Sequence, residues 1–411
     1  MVRNDIKLSM KALIKKKPIN PPEWYKGLEI ADMPEPEVSA ERPVKLKIVS
    51  SGICGTDVGI YQGKDSLAIA MSRLKQDKVI LGHEFCGRVQ EIHKSAREQV
   101  AQMIIRRDNR SSKVKSYLEG KSVEDLTRDK KFVEFLRDNF YVTAEMHFTC
   151  GNCIQCRIGD EHVCKGTIGK GILEDGSYTE YMVAPANRLV FIEEGEIAPE
   201  IISFMDAIGN GVHTAQSADL VGKTLLITGA GVQGLCSLAI ARMMGANKIF
   251  ITDAVRQGGV DKLSIAKKLG ADGVFDAGTD EGRASLAETI AHETDNTGVD
   301  IVFEMSGNYK AYEQALKSVR MGGTLLLLGL PAGKMEIDFS TDVIFKGLTI
   351  KGIYGRRVFD TWDLMRYLLS RGLDKKILES GVITHQLPLA DYKKGFEALC
   401  NGEAIKVILK P

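Results

Sequence analysis

Four cysteines, Cys150, Cys153, Cys156 and Cys164, stand in the run CGNCIQCRIGDEHVC with the spacing C-x2-C-x2-C-x7-C. Four thiolates that close together can surround one tetrahedral zinc at about 2.3 Å per Zn–S bond, and a closed set of this kind is structural rather than catalytic. A second group is looser. Cys54 in GICGTD and the pair His83-Glu84 in LGHEFCG offer one soft and two harder ligands from different loops. Such a set suits a catalytic zinc with an exchangeable position. A third feature binds rather than reacts. Gly229, Gly231 and Gly234 spell G-x-G-x-x-G after the apolar run TLLIT, and Asp253 ends the next apolar run 24 residues beyond Gly229. In that setting the first glycine allows a tight turn, the second lets backbone approach a pyrophosphate, and the third lets helix pack on strand. The helix N-terminus supplies N–H donors for the phosphates. Asp253 would accept hydrogen bonds from the adenosine ribose and repel a 2′-phosphate, which favours NAD over NADP. Arg256, three residues on and followed by Gly258-Gly259, is the residue type that could pair with that phosphate instead.

Such residues need two kinds of support. From about residue 200 apolar runs alternate with helical spacing: TLLITGAGVQG, LCSLAIARMMG, KIFITD, VDIVFEMSG, TLLLLGLP. Apolar strands separated by helices imply a parallel sheet covered on both faces. The first 90 residues and the stretch after the cysteine cluster read instead as short strands with turns, as in VKLKIVSSGICG. Residues 94–138 differ from both, with 12 Lys/Arg against 8 Asp/Glu, one glycine and no proline. Val100, Met103 and Ile104, then Val114, Tyr117 and Leu118, recur at helical spacing, and Ser122 with Asp125 forms a capping signature ahead of Leu126, Val133 and Leu136. The expectation is a helical insertion decorating the surface, with an oligomer contact or a lid over the substrate pocket as the alternatives. The fold class expected is α/β: a Rossmann doubly wound parallel sheet plus a mainly β catalytic domain. Residues 1–200 would form the catalytic domain with the zinc sites, 201–350 the NAD-binding domain, and 351–411 a return to the first domain with a helix pair and a terminal strand.

The chain of 411 residues is 44% hydrophobic and 27% charged with a net charge of +1. That composition fits a globular two-domain protein with no global attraction to nucleic acid or an anionic membrane. The N-terminal run is basic without an apolar signal-peptide core, so a cytoplasmic location is expected. Eight cysteines, half of them within 15 residues, read as metal binding, and Cys86, Cys236 and Cys400 as buried thiols.

With these residues in place the chain resembles the zinc-dependent medium-chain alcohol dehydrogenases. The likeness is carried by SGICGTDV, GHEFCGRV, TAEMHFTCGNCIQCRIGDEHVC, LVGKTLLITGAG, FEMSGN and ITHQLPL. The stretches MDAIGNGVHTA and FKGLTIKGIYGRRVFDTW point to the branch that acts on threonine. The resemblance implies a GroES-like first domain and two zincs per chain. Cys54, His83 and Glu84 would hold the catalytic zinc, and Asp206 would lie near it as a ligand or proton-relay partner. Thr56 would contact the substrate hydroxyl and His147 the substrate. Val232, Leu328, Gly329, Leu330, Ile353 and Tyr354 would line the nicotinamide cofactor, with Lys262 as the basic residue after Asp253. The implied reaction moves a hydride from a secondary alcohol to NAD. L-threonine, giving 2-amino-3-oxobutanoate, is the leading substrate, and a polyol or sugar alcohol is the alternative. A homotetramer or homodimer is also implied. A third reading is a non-catalytic nucleotide-binding protein.

Three departures from the family pattern stand out. Gly59 occupies the position of the relay histidine, residues 94–138 replace a short turn, and the loop after Asp253 is longer than usual. Arg356 and Arg357 are candidate clamps for a substrate carboxylate, or else serve cofactor phosphates or a subunit contact.

Overall fold

The computed structural model describes residues 8–18, 23, 26–107 and 110–411; part of the basic N-terminal run lies outside them. The parallel sheet has six strands, ordered Gly273–Asp276, Lys248–Asp253, Thr224–Thr228, Val299–Glu304, Val319–Leu327, Thr349–Gly352. Every neighbouring pair is parallel. Taken in chain order this is the 3-2-1-4-5-6 arrangement of a doubly wound dinucleotide fold, and the order reverses between Thr224–Thr228 and Val299–Glu304. Leu225, Leu226, Ile227, Val302 and Phe303 are fully buried because helices cover both faces of the sheet. The expected α/β class is present.

The other body is mainly antiparallel. Its sheet runs Leu189–Glu193, Phe140–Ala144, Glu84–Ile92, Val44–Gly52, Lys406–Lys410, Ile383–Pro388, with Tyr181–Ala184 also paired to Val44–Gly52. A three-stranded sheet of Leu28–Pro34, Ser9–Lys16 and Lys78–Ile80 lies beside it. The strand Lys406–Lys410 therefore sits in the middle of a sheet otherwise built mostly from the first 200 residues. The segment leading to it holds three helices, Asp360–Leu368, Asp374–Ser380 and Tyr392–Asn401, where a pair was expected.

Residues 94–138 form helices Arg97–Ile105, Ser112–Leu118 and Val123–Arg128, then most of Phe132–Asn139. Ser122 and Asp125 make the reciprocal capping box. The segment is not surface decoration. Val100, Ile104, Val114, Leu118, Leu126 and Leu136 are buried in one core with Leu46, Phe85, Val89 and Val142 of the antiparallel sheet. Each such side chain contributes about 1.5–3 kcal/mol by leaving water. Tyr117 stacks on Phe135 with ring centroids 3.6 Å apart. Arg107 is buried and donates to the Phe191 carbonyl and to Glu196, and Glu196 also contacts Arg366 at 3.4 Å. The insertion is thus tied to the helix Asp360–Leu368. Among the described residues no helix is long and apolar enough to cross a membrane.

Candidate active site and cofactor groove

Strand register brings the catalytic ligand candidates together. Gly52 is paired with Glu84, so Cys54, two residues beyond Gly52, arrives beside His83. Cys54 is the N-cap of helix Gly55–Tyr61, and its N–H donates to the Asp57 carboxylate at 3.0 Å. The donor atoms of Cys54, His83 and Glu84 all lie within 4.8 Å of one another. Three buried polar atoms here, Asp57 Oδ1, His83 Nδ1 and Glu84 Oε1, have no hydrogen-bond partner. Burial alone would lower the His83 pKa, yet Asp57 and Cys54 raise it well above the ordinary histidine value. The unpartnered buried atoms and the thiol, imidazole and carboxylate brought together here fit a zinc donor set. Thr56 Oγ1 lies 3.9 Å from the Cys54 sulfur.

Two supports for this group were not singled out in the sequence. Asp57, fully buried, has Oδ1 3.6 Å from His83 Nδ1 and accepts a 2.7 Å hydrogen bond from Tyr178 Oη. At 3.6 Å this is an electrostatic contact rather than a hydrogen bond, and it favours positive charge on or beside the imidazole. Lys406 is the other. Its buried ammonium contacts Glu84 and donates to the Ile53 carbonyl at 2.9 Å. Glycine at 52 makes room for this pair, because a Cβ there would stand 2.5 Å from Glu84 Oε2.

Asp206, near the start of helix Met205–Ala215, is not in the cluster formed by Cys54, His83 and Glu84. Its Oδ2 instead lies 2.7 Å from Arg356 Nη2, an ionic contact without hydrogen-bond alignment. Arg356 is buried and grips Glu145 with two bonds, Nε to Oε2 at 2.9 Å and Nη2 to Oε1 at 2.7 Å. Its remaining nitrogen, Nη1, donates to Asn210 at 3.1 Å. Glu145 also accepts from the Trp362 indole at 2.8 Å and lies 2.7 Å from His147 Nδ1. Burial opposes ionisation of Glu145, but Arg356 and His147 hold it well below the ordinary carboxylate range. Burial raises the Asp206 pKa although Arg356 opposes it. Arg356 is thus committed to two protein carboxylates. Arg357 is half-exposed and faces Asp360 at 3.3 Å.

The four-cysteine lobe holds its sulfurs at 3.5 Å for Cys153–Cys156, 3.7 Å for Cys153–Cys164, 3.6 Å for Cys150–Cys164 and 4.0 Å for Cys150–Cys156. A tetrahedron with Zn–S bonds of about 2.3 Å has edges of about 3.8 Å, so the cage matches the metal. Backbone N–H groups of Cys150 and Gly166 point at the Cys164 sulfur and bring its pKa down to about 6, favouring thiolate. The lobe is anchored close to His147. Thr149 donates to Glu161 at 2.6 Å, and buried Arg188 donates to both at 2.7 and 2.9 Å.

The groove of the parallel sheet gives each fingerprint glycine a separate task. Gly229 has φ +101° and packs on Ser306, Gly231 caps helix Val232–Met243 with open space beside it, and a Cβ at Gly234 would strike the Gly229 carbonyl at 1.8 Å. Asp253 accepts the Ala230 N–H at 2.8 Å and meets Lys262 Nζ at 3.4 Å. Leu328 and Gly329 donate their N–H groups to the Glu304 carbonyl, and Ile353 donates to the Leu327 carbonyl. Leu330 and Tyr354 are exposed. Glu304, buried at the point where strand order reverses, takes the Ser306 and Gly307 N–H groups on its side chain. It was missed because one acidic residue inside VFEMSG looks like any strand end.

Residues 40–122 and 137–194 match the model of an alcohol dehydrogenase GroES-like domain, and residues 233–371 match that of a zinc-binding dehydrogenase. The L-threonine 3-dehydrogenase of Shewanella frigidimarina is 35% identical over 404 residues, covering 97% of this chain and 99% of that protein. Among solved structures, an alcohol dehydrogenase of Thermotoga maritima superposes with a TM-score of 0.75 at 22% identity, covering 98% of this chain and all of the other. Galactitol-1-phosphate dehydrogenase of Escherichia coli superposes at 0.73 with 20% identity over 98% of this chain and 100% of its own.

Proposed function

The chain belongs to the zinc-binding dehydrogenase family, and from that premise we propose that it oxidises the secondary hydroxyl of L-threonine to a ketone, giving 2-amino-3-oxobutanoate, with NAD as acceptor. The observation that carries the reading is the set Cys54, His83 and Glu84 beside Thr56, in a chain whose end-to-end relatives include L-threonine 3-dehydrogenase. Cys54, His83 and Glu84 would hold one zinc, and Cys150, Cys153, Cys156 and Cys164 a second, structural one. Bound at these sites, zinc supplies Lewis acidity toward a hydroxyl and NAD supplies a hydride acceptor. Thr56 Oγ1 accepts the proton leaving the substrate hydroxyl and passes it on. Gly59 cannot carry that proton, so water takes it from Thr56. His147, held at Nδ1 between Glu145 and Arg356, would present Nε2 to the substrate. Gly229, Gly231 and Gly234 admit the pyrophosphate, and Asp253, oriented by the Ala230 N–H and Lys262, takes the ribose hydroxyls. Val232, Leu328, Gly329, Leu330, Ile353 and Tyr354 line the nicotinamide half. Asp206, held by Arg356 and coupled electrostatically to His83 and Glu84, would serve near the zinc as a ligand or proton-relay partner.

One observation favours the second reading, a polyol or sugar alcohol. Arg356 is neutralised by Glu145 and Asp206, which removes the guanidinium that a substrate carboxylate would need. Nicotinamide absorbance with threonine, sorbitol, butanediol and galactitol 1-phosphate, each with NAD and with NADP, separates the two. Turnover of a polyol with none of threonine would sink the threonine assignment. We also propose a homo-oligomer joined at the sheet edge, because Thr349–Gly352 is an exposed edge strand flanked by exposed Phe339, Ile344 and Phe345. A monomer mass by light scattering would refute it.

A further inference from the structure

The insertion reaches the helix Asp360–Leu368 through one carboxylate, Glu196. Arg107, just past the insertion's first helix, is buried, and its guanidinium donates to the Phe191 carbonyl and to Glu196 Oε2. Ser111, which caps the next helix of the insertion, donates its N–H to Glu193 at 3.1 Å. Glu196 Oε2 also accepts the Glu193 N–H at 3.2 Å, so both contacts of the insertion fall on one turn, residues 193–196. The other oxygen, Oε1, lies 3.4 Å from Arg366 Nη2. Glu196 therefore stands between a guanidinium of the insertion and a guanidinium of the helix. Arg366 and Trp362 are four positions apart in that helix, which puts them one turn apart on the same side of it.

Trp362 is buried, and its indole donates to Glu145 Oε2 at 2.8 Å. The same oxygen takes Arg356 Nε at 2.9 Å. Oε1 takes Arg356 Nη2 at 2.7 Å and the His147 backbone N–H at 3.0 Å, and faces His147 Nδ1 at 2.7 Å. Among the described residues the indole is thus the one donor to this carboxylate that belongs to neither Arg356 nor His147. A carboxylate gripped on both oxygens from separate elements has one orientation. Without the indole, Glu145 is free to turn on Arg356 and to carry the His147 ring with it. We propose that the insertion is a positioning element for the substrate pocket: through Arg107, Glu196 and Arg366 it fixes the helix Asp360–Leu368, the helix holds Trp362 on Glu145, and Glu145 orients His147. Arg107, Glu196 and Arg366 are positioning residues. The inference rests on the reading above that His147 meets the substrate. It gives residues 94–138 a role in substrate binding that needs no lid.

Two variants of the full chain cut this path at different points. Arg366→Met cuts it at the helix and leaves the pair of Arg107 and Glu196 in place, so folding is retained. Arg107→Met combined with Glu196→Gln removes both charges of that pair together and cuts the path at the insertion. Proton–nitrogen spectra of the zinc-loaded protein report the indole of Trp362, identified as the resonance missing in Trp362→Phe. Both variants should move that indole proton upfield as its bond to Glu145 loosens. Both should raise KM for the alcohol about two- to fivefold with kcat unchanged, the pattern of binding lost equally from ground state and transition state. Arg366→Lys should recover part of the change. In a Trp362→Phe background, Arg366→Met should raise KM no further. An indole unmoved in both variants overturns the proposal, whether or not any alcohol is turned over. So does a KM rise in Arg366→Met that is as large in the Trp362→Phe background, or a fall in kcat and melting temperature with KM unchanged, which would make the junction an anchor for folding alone. A moved indole with unchanged KM for threonine, sorbitol and butanediol overturns the substrate contact of His147 in the reading above and leaves the tie between the insertion and Trp362 standing.

Discussion

Replacing Arg356 by methionine removes the guanidinium that neutralises two buried carboxylates, Glu145 at 2.7 Å and Asp206 at 2.7 Å. Glu145 must then stay ionised in a dry site or take up a proton. Proton uptake sets the ceiling: at pH 7, a carboxyl with an unfolded pKa of about 4.3 is held neutral at a cost of about 3.7 kcal/mol. That agrees with the roughly 3–5 kcal/mol lost when a buried ion pair loses one member. The pH dependence also reverses. In the wild type Glu145 is held below its unfolded value, so its contribution is present above that value and is lost as pH falls through the folded pKa. In Arg356→Met the folded pKa lies above the unfolded one, so the penalty shrinks as pH falls. From pH 7.5 to 5.5 the deficit against wild type should narrow by up to about 2.7 kcal/mol for one proton. Urea unfolding at fixed temperature, followed by circular dichroism on both proteins in parallel, measures it and cancels protonation events they share. A deficit equal at the two pH values, or below about 1 kcal/mol at pH 7.5, would refute the assignment of Arg356 as the counter-ion of this cluster.

Metal analysis should return two zincs per chain; Cys54→Ala should lose one together with turnover, whereas Cys156→Ser should lose the other and lower the melting temperature, and an unaltered count in either variant contradicts the two-site reading. A Cβ at Gly59 would stand 2.5 Å from Leu67 Cδ1, so Gly59→His alone should destabilise by about 1–3 kcal/mol through overpacking. Combined with Leu67→Ala, the new imidazole should shift the pH–rate profile, and an unshifted profile argues against a proton path through that position. Lys406→Met should destabilise the zinc-free protein by about 3–5 kcal/mol by leaving Glu84 unpaired. Added zinc should recover part of that loss, and a deficit indifferent to zinc would refute Glu84 as a ligand of the first zinc.

What could be read in the sequence was whatever depends on neighbours along the chain. The glycine fingerprint, the cysteine spacing and the cap at Ser122 are local patterns, and each has the geometry its spacing implies. Asp57 could have been found, since a carboxylate three residues after Cys54 is a capping signature. The pairings of Arg356 with Glu145 and of Lys406 with Glu84 could not, because they join residues 211 and 322 positions apart. Helical spacing identified the insertion, but its burial on the antiparallel sheet depends on which sheet face lacked a cover. Asp206 interacts electrostatically with His83 and Glu84, as its position in the sequence led one to expect, and the partner that holds it, Arg356, lies 150 residues downstream and was not legible.

The lysine in the middle of the antiparallel sheet also sets a schedule for synthesis. Glu84 leaves the ribosome 322 residues before Lys406. At about 5–20 residues per second that interval is roughly 15 to 65 seconds. Through it Cys54, His83 and Glu84 are already made, while the strand that neutralises the carboxylate is not. Until its last strand is made, the chain carries Glu84 without the ammonium that pairs with it in the finished fold.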